Sequence, residues 1–196
     1  MIPIVILAAG GSRRMRGADK MLEQVAGIPL LRLQAQRALA TGHPVFVAVP
    51  AADHPRTAVI ADLDVTPIIV PEAAEGMSGT MRCAIARLPA CPAFMIVLAD
   101  LVAIETDDLL TVLHARIAHP DHLIWRGATG DGKPGHPIIF DNSLRPEFAA
   151  LHGDAGGETI VRQRRGQTHL TRLPENRARL DLDTPEDWAA WRGSGA

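Results

Sequence analysis

Short apolar runs alternate with segments of helical periodicity along the first 118 residues of the chain. The runs predict four β-strands, over residues 2–8, 45–49, 65–70 and 94–99. Between and after these runs, apolar residues recur every three or four positions, which predicts helices over residues 29–42, 55–63, 78–88 and 106–118. Ser78 and Thr106 stand where two of these helices begin and are predicted as their N-caps.

Strands that are apolar at successive positions are typical of a sheet that helices cover on both faces. The order of strands and helices therefore predicts an α/β fold with three layers, built on a doubly wound, mostly parallel, Rossmann-like sheet. No linker, repeat or low-complexity tract divides the sequence, so residues 1–196 are predicted to form one domain. The glycine-rich segments 127–135 and 151–157 predict long loops over the sheet, where a second substrate would bind.

The composition limits the classes of partner. The chain has 47% hydrophobic and 21% charged residues, as in ordinary globular proteins. Its formal net charge of −2 excludes a nucleic-acid surface built on bulk positive charge. No apolar stretch reaches the length of a membrane span. We therefore expect a cytoplasmic protein that binds neither nucleic acid nor membranes.

The segment 7–20, Leu-Ala-Ala-Gly-Gly-Ser-Arg-Arg-Met-Arg-Gly-Ala-Asp-Lys, follows the first predicted strand. Its small residues allow backbone N–H groups to approach a phosphate, and Arg13, Arg14, Arg16 and Lys20 concentrate positive charge there. The segment matches neither a Walker A loop nor a dinucleotide fingerprint. A solvated connection with incidental arginines is the alternative. The position at a strand end, where open α/β sheets bind ligands, favours a phosphate-binding loop.

Six short motifs, in order along nearly the whole chain, resemble the nucleotidyltransferases that attach CMP or GMP to the molybdopterin cofactor. They are Leu-Ala-Ala-Gly-x-Ser-x-Arg-Met with its following Lys20, the segment 75–81, Leu98-Ala99-Asp100, Gly135-His136-Pro137, Gly153-Asp154-x-Gly156 and the segment 181–187. The members that use CTP are the most similar.

The sequence departs from this family at three points. Arg16 stands where Gly is usual, and Gly17 follows, so the loop is one residue longer before Lys20. Leu101-Val102-Ala103 follows Asp100, where the family commonly has a proline two residues on. Gly79 replaces a usual serine.

The resemblance implies transfer of a nucleotidyl group from a nucleoside triphosphate to an acceptor phosphate, with pyrophosphate leaving. In such a reaction the protein mainly positions the reactants and neutralises charge. We expect Gly10, Gly11 and Ser12 to supply backbone donors to the triphosphate. Arg14 and Lys20 are expected to neutralise the leaving pyrophosphate.

Mg²⁺ is the implied cofactor, a hard cation that prefers carboxylates and water. Asp100 ends a predicted strand and is the first candidate ligand, with a turn or cap residue as the alternative. Asp183 is the second candidate by resemblance, and Asp181 competes with it because the two face the same side of an extended segment. Residues 184–187, Thr-Pro-Glu-Asp, are also typical of a helix start, which offers a structural explanation for the same acids.

The resemblance also implies which residues surround the base. They are Leu7, Ala8, Ala9, Gly76, Ser78, Gly79 and Thr80. Family members with Leu-Ala-Ala-Gly tend to use CTP, and those with Leu-Ala-Gly-Gly tend to use GTP. The methyl group of Ala9 narrows the base pocket and suits a pyrimidine, so CTP is favoured over GTP as the nucleoside triphosphate.

The expected acceptor is a molybdopterin-type phosphate, bound by His136 and Asp154. His136 contacts a phosphate or packs in a turn, and the two interpretations are equally weighted. A molybdenum hydroxylase or its maturation chaperone is the candidate protein partner. The competing functions are a transferase for a sugar phosphate or another small phosphate, an inactive nucleotide- or cofactor-binding chaperone, and a nicotinamide oxidoreductase on the same scaffold.

Overall fold

The computed structural model describes residues 1–71, 75–153 and 156–193. The helices are α1 (Leu30–Leu39), α2 (Pro55–Ala58), α3 (Met77–Ala86), α4 (Thr106–Ala118), α5 (Arg145–Ala149), α6 (Glu158–Gln163) and α7 (Pro185–Gly193). The strands are β1 (Ile4–Leu7), β2 (Gln24–Val25), β3 (Ile28–Pro29), β4 (Val45–Val49), β5 (Thr66–Ile69), β6 (Ala93–Leu98), β7 (Ile124–Ala128), β8 (Pro134–Asp141) and β9 (Thr168–Arg172). Across these three ranges, no helix has both the length and the apolar character needed to cross a membrane.

Seven strands form one sheet in the order β5-β4-β1-β6-β8-β7-β9, and β2 pairs with β3 in a small ribbon. Strands β5, β4, β1 and β6 are parallel, as are β7 and β9, whereas β8 runs antiparallel to both neighbours. The predicted α/β fold with a mostly parallel sheet is confirmed. Because β1 and β6 are adjacent and parallel, with Leu7 beside Leu98, the segments that follow them meet at one edge.

Apolar side chains cover both faces of the sheet. Along β1, Ile4 and Ile6 pack in a cluster with α1 and α4, while Val5 and Leu7 pack in a second cluster with α3 and α5. This two-sided burial explains why the predicted strands are apolar at successive positions. A third cluster packs Trp188 of α7 near Met15, which keeps the C-terminal segment beside the glycine-rich loop.

Three local predictions are wrong. α3 begins at Met77 after Gly76, so Ser78 lies in its first turn and is not its N-cap. Glu105 is the N-cap of α4, in a capping box with Asp108, whose carboxylate accepts from the Glu105 N–H at 2.9 Å, so Thr106 is the first residue of the helix. The helix predicted over residues 55–63 is regular only over Pro55–Ala58, after which the chain continues as turns.

The glycine-rich segment 127–135 is also not a long loop, because it holds the end of β7 and the start of β8. An added Cβ at Gly135 would lie 2.1 Å from the carbonyl oxygen of Ala178. Close approach of two backbones therefore requires glycine within this strand. In the other predicted loop, over residues 151–157, residues 154 and 155 lie outside the described residues.

Candidate nucleotide and metal site

A cleft of about 460 Å³ opens at the carboxyl ends of β1 and β6, beside the glycine-rich loop and the start of α3. Ligands bind at this edge in open α/β sheets. Its lining residues are Leu7, Ala8, Ala9, Gly10, Gly11, Ser12, Arg13, Arg14, Lys20, Met21, Arg56, Glu75, Gly76, Met77, Thr80, Leu98, Asp100, Gly153 and Asp183. The cleft therefore gathers most of the residues predicted to bind nucleotide and metal.

The backbone of the loop carries free donors beside the cleft. Within the described residues, the N–H groups of Ala9, Gly10 and Gly11 donate no hydrogen bond. An added Cβ at Gly10 or Gly11 would meet no atom within 4 Å. Packing inside the protein therefore does not explain these two glycines, whereas a phosphate held against the loop would.

Replacing Gly11 by Ala tests this interpretation. The substitution is expected to leave Tm unchanged or slightly raised, because the site has room and the unfolded chain loses freedom. It is expected to weaken nucleoside triphosphate binding about 10- to 100-fold, because the methyl group intrudes where the phosphate must approach the backbone. Calorimetric titration and thermal denaturation measure the two effects.

Gly166 offers the matched control. An added Cβ at Gly166 would likewise meet no atom within 4 Å, but this glycine lies outside the cleft lining. Gly166→Ala is expected to leave both Tm and nucleotide affinity near their wild-type values. Equal nucleotide affinities for Gly11→Ala and the wild-type protein would show that the loop backbone does not contact phosphate.

Lys20 lies between two carboxylates at the floor of the cleft. Its Nζ is 2.5 Å from Asp100 Oδ2 and 2.8 Å from Asp183 Oδ1, and Arg14 Nη2 is 2.7 Å from Asp183 Oδ2. Burial alone would lower the pKa of Lys20, but the charges and hydrogen bonds of Asp100 and Asp183 raise this pKa above its usual value. Lys20 is therefore cationic at neutral pH.

The C-terminal segment reaches this point through one antiparallel bridge between Leu101 and Asp181. Thr184 then begins α7, because its hydroxyl accepts a hydrogen bond from the Asp187 N–H. The Asp187 carboxylate in turn accepts hydrogen bonds from the N–H groups of Asp183 and Thr184. The interpretation of residues 184–187 as a helix start is confirmed, and the side chain of Asp183 contacts Lys20.

The two acids of this segment have different charge environments. Burial raises the pKa of Asp181, and the negative charges of Asp183 and Asp100 raise it further. Burial also acts to raise the pKa of Asp183, but the Lys20 hydrogen bond and charge and the Arg14 charge hold it below its usual value. Asp183 is thus the more readily ionised of the two and the better cation ligand.

The carboxylates of the cleft suit a divalent cation. Asp100 Oδ1 is buried and has no hydrogen-bond partner among the described residues, so one carboxylate oxygen is available to a ligand. Mg²⁺ is usually held by one or two carboxylates together with waters and substrate phosphates. Asp100 and Asp183, which both line the cleft and contact the same Lys20 ammonium, fit that arrangement.

The predicted metal ligands are Asp100 and Asp183, with Asp181 as the competitor of Asp183. Over residues 1–71, 75–153 and 156–193, no three His, Cys, Asp or Glu side chains are placed to hold a metal ion. The physical reason is that the Lys20 ammonium occupies the space between Asp100 and Asp183. Asp181 instead lies in the wall of a neighbouring cavity.

This second cavity, of about 470 Å³, shares Leu98 with the cleft. His136 lies in its wall beside Arg126, whose Nη1 is 3.0 Å from Glu158 Oε2. Burial, together with the charge of Arg126, lowers the pKa of His136 to about 3. The imidazole is therefore neutral at neutral pH and offers no positive charge to a phosphate. Asp154, the other predicted acceptor residue, lies outside the described residues.

Two residues predicted to touch the base do not line the cleft. Ser78 is fully buried and Gly79 is buried beside it. The Ser78 hydroxyl donates to the carbonyl of His152 at 3.3 Å and accepts from the N–H of Gly156 at 3.2 Å. Because these bonds occupy the hydroxyl, Ser78 supports the turn around the cleft, while Gly76 and Thr80 remain in its wall.

The additional loop residue is accommodated in a turn. Arg16 has a left-handed backbone with φ 52°, and Gly17 follows with φ 95°. The Arg16 side chain forms an exposed ion pair with Glu186 at 2.8 Å, an interaction that contributes little in water. Because the turn absorbs the additional residue, Lys20 still reaches Asp100.

The residue that the sequence did not reveal is Arg56, near the start of α2. It is 3% exposed, lies in the cleft wall and bonds to the glycine-rich loop at Ala8, Gly10, Ser12 and Asp19. An arginine at the start of a short helix carries no sequence signal for this role. Only the folded chain brings it to the loop, across 37 to 48 positions of sequence.

Several solved structures are similar to this chain in fold. Rv0371c from Mycobacterium tuberculosis H37Rv is 26% identical, with a TM-score of 0.82 over 97% of this chain and 96% of that chain. A manganese complex of Rv0371C from the same organism is 24% identical, with a TM-score of 0.80 over 98% of both chains. The CMP:2-keto-3-deoxy-manno-octonic acid synthetase complexed with CTP is 15% identical, with a TM-score of 0.78 over 100% of this chain and 98% of that one. Matches below 25% identity show a shared fold only.

Among curated protein sequences, none matches this chain. A sequence model described as a MobA-like NTP transferase domain matches residues 4–169, which include β1, the glycine-rich loop, β6 and Asp100. This match spans most of the 196 residues. The chain therefore belongs to the family of MobA-like NTP transferases, within the nucleotidyltransferase superfamily.

Proposed function

We propose that this protein is a Mg²⁺-dependent cytidylyltransferase that transfers CMP from CTP to a molybdopterin-type phosphate and releases pyrophosphate. One observation carries the proposal: the free backbone donors of the loop, the cations Arg14 and Lys20 and the carboxylates Asp100 and Asp183 line a single cleft at the end of β1 and β6. These are the groups that phosphoryl-type transfer requires, since the protein must mainly position phosphates and neutralise their charge.

The triphosphate would lie against the loop. The N–H groups of Ala9, Gly10 and Gly11 are available as donors, and Ser12 extends the same wall. Arg14 and Lys20 stand beside them and supply positive charge for the β- and γ-phosphates, where negative charge grows as pyrophosphate departs. Both cations pair with Asp183 in this structure, and phosphate binding would exchange one anionic partner for another.

Asp100 and Asp183 would hold Mg²⁺, with water and phosphate oxygens completing its shell. When bound, the ion polarises the phosphate oxygens and offsets their charge. The chain's own part is to keep Asp183 ionised, which the adjoining cations favour. The manganese complex of Rv0371C supports a divalent cation in this fold.

The second cavity is the proposed acceptor site, because it joins the cleft at Leu98 and Asp181 lies in its wall. An acceptor phosphate there would direct one oxygen at the α-phosphorus. The new bond joins that oxygen to the α-phosphorus, and the bond from the α-phosphorus to the bridging oxygen of the β-phosphate breaks. His136 is proposed to contact the acceptor as a neutral hydrogen-bonding group, and Asp154 remains part of the proposal by resemblance.

Ala9 is the proposed determinant of base preference. It lies in the cleft wall and is 4% exposed. Its methyl group reduces the room for a base, which disfavours a purine. The CTP complex of the synthetase with the same fold supports CTP as a ligand of this architecture.

Replacing Ala9 by Gly is therefore expected to raise the GTP to CTP ratio of kcat/KM about tenfold, a change of ~1.4 kcal/mol in relative transition-state binding. Competition between the two nucleotides in one reaction measures the ratio directly. Ala150→Gly serves as the control, since it removes the same methyl group at an exposed position outside both cavities. If Ala9→Gly leaves the GTP to CTP ratio of kcat/KM unchanged, Ala9 does not determine the base preference.

The proposed function is tested by incubating the protein with CTP or GTP, Mg²⁺ and molybdopterin and measuring pyrophosphate. We expect release that requires all three components and is faster with CTP. A second function, a nucleotide-binding module without turnover, is favoured by the Lys20 ammonium that occupies the space between the carboxylates. Tight nucleotide binding without pyrophosphate release would support that second function. Turnover only with a sugar phosphate would reassign the acceptor.

A further inference from the structure

Arg56 uses its whole hydrogen-bonding capacity on the glycine-rich loop. A guanidinium has five N–H donors. Nε donates to Asp19 Oδ2 at 2.7 Å, Nη1 donates to the carbonyls of Ala8 at 2.6 Å and Gly10 at 2.7 Å, and Nη2 donates to Ser12 Oγ at 3.1 Å and Asp19 Oδ1 at 2.7 Å. Arg56 lies in the cleft wall, yet no donor remains for a phosphate.

These bonds determine which way two peptide groups of the loop face. In a trans peptide, the carbonyl and the following N–H point in opposite directions. Because Arg56 holds the carbonyls of Ala8 and Gly10, the N–H groups of Ala9 and Gly11 point away from the guanidinium. Those two N–H groups are among the free donors beside the cleft. Without Arg56, the two carbonyl oxygens would be free to turn toward the cleft and repel phosphate oxygens.

We propose that Arg56 is a positioning residue whose forked guanidinium orients the backbone donors of the loop for the triphosphate. The inference rests on the proposed function, in which this loop holds the nucleotide. Arg56 lies outside the glycine-rich loop, and its proposed role is to orient the loop without contacting the substrate directly. The shape of the guanidinium matters here, beyond its charge, because its planar fork directs the five donors at fixed angles to the acceptors around it.

Asp19 completes the arrangement from within the loop. Its two oxygens accept one bond each from Nε and Nη2 of Arg56, a bidentate pair, and its Oδ1 also accepts from Ser12 Oγ and from the N–H of Met21. Burial alone would raise the pKa of Asp19, but the hydrogen bonds and charge of Arg56 bring it below its usual value. Asp19 is thus a carboxylate at neutral pH, and it holds the guanidinium in position.

The experiment compares wild-type protein with Arg56→Lys, Arg56→Met and Asp19→Asn. Dissociation constants are measured by calorimetric titration for CTP and for inorganic tripolyphosphate, and Tm is measured by thermal denaturation. Arg56→Lys keeps the charge but loses the fork, and we expect it to weaken both ligands about 30-fold. Arg56→Met is expected to weaken them at least as much, and Asp19→Asn about tenfold.

The matched control is Arg32, which makes a similar set of bonds outside the cleft. It donates to both oxygens of Asp62, at 2.6 and 2.8 Å, and to the carbonyl of Val59 at 3.0 Å. Arg32→Lys and Arg32→Met are expected to keep wild-type affinity for both ligands. A loss of affinity restricted to the Arg56 and Asp19 variants, in protein that denatures cooperatively, separates positioning of the donors from general stability.

The outcomes are distinct. Folded Arg56→Lys that binds tripolyphosphate as tightly as wild-type protein would overturn the role of Arg56. If the Arg56 variants do not fold, unchanged affinity in Asp19→Asn overturns it and a loss of about tenfold supports it. Wild-type protein that binds neither CTP nor tripolyphosphate would instead refute the proposed function itself. If the Arg32 variants lose as much affinity for the two ligands as the Arg56 variants do, Arg56 stabilises the fold and does not position the donors.

Discussion

Replacing Asp100 by Asn is expected to lower kcat/KM for nucleotidyl transfer about 1000-fold, ~4 kcal/mol of transition-state stabilisation. The amide keeps the size of the side chain and one oxygen that can accept from Lys20. It removes the negative charge, and with it the carboxylate whose Oδ1 has no partner among the described residues. Pyrophosphate release at saturating Mg²⁺ measures the loss, and thermal denaturation shows whether the fold persists.

Asp62→Asn is the matched control for this substitution. Asp62 also accepts hydrogen bonds from a cationic side chain, but it lies on the surface outside both cavities. We expect it to retain wild-type activity. If Asp100→Asn keeps its kcat/KM within about threefold of the wild-type value, Asp100 has no part in holding the metal ion.

Replacing Lys20 by Met is expected to move catalysis and metal binding in opposite directions. Loss of the cation that would face pyrophosphate lowers kcat/KM about 100- to 1000-fold. Removal of the ammonium from between Asp100 and Asp183 strengthens Mn²⁺ binding to the nucleotide-free protein about tenfold. Steady-state kinetics measure the first effect, and titration followed by electron paramagnetic resonance of free Mn²⁺ measures the second.

The control for Lys20 is Lys133, whose ammonium pairs with one exposed carboxylate, Asp131, at 2.8 Å. Lys133→Met is expected to change neither activity nor Mn²⁺ affinity. Mn²⁺ affinity in Lys20→Met at or below the wild-type value would contradict the competition between Lys20 and the metal ion. Because the pKa of Lys20 is raised, its ammonium stays charged, and this competition does not weaken as the pH increases from about 6 to about 8.

Much of the fold and of the nucleotide site follows from local sequence. The apolar strands at residues 2–8 and 94–99 indicate a sheet covered on both faces, and in a parallel sheet their carboxyl ends face the same way. The apolar pattern alone therefore assigns the loop after β1 and Asp100 after β6 to one edge. The structure places both in the same cleft, as expected.

The contacts that depend on distant parts of the chain could not be predicted in the same way. Asp183 and Lys20 are 163 positions apart, and no pattern of residue types shows that an ammonium lies between two carboxylates. The choice between Asp183 and Asp181 likewise depends on which acid the folded chain places beside Lys20 and Arg14. The role of Arg56 could not be predicted from the sequence, because two of its acceptors are backbone carbonyls, which every residue has.

Predictions from neighbouring residues also failed at two helix starts and at one glycine-rich segment. Ser78 and Thr106 have the chemistry of N-caps, but Gly76 and Glu105 occupy the cap positions. The glycines of residues 127–135 suggested a loop, whereas at Gly135 the absence of a side chain permits close contact with the backbone of Ala178. In both cases the residue types have a structural role, but the packing of the folded chain determines which role it is.

The most direct test of nucleotidyl transfer follows two labels in parallel reactions. CTP labelled at the α-phosphorus and CTP labelled at the γ-phosphorus are each incubated with the protein, Mg²⁺ and molybdopterin. The proposed function predicts that the α-label becomes attached to molybdopterin while the γ-label appears in pyrophosphate, in equal amounts. Transfer of the γ-label to the acceptor, or its release as inorganic phosphate, would contradict nucleotidyl transfer.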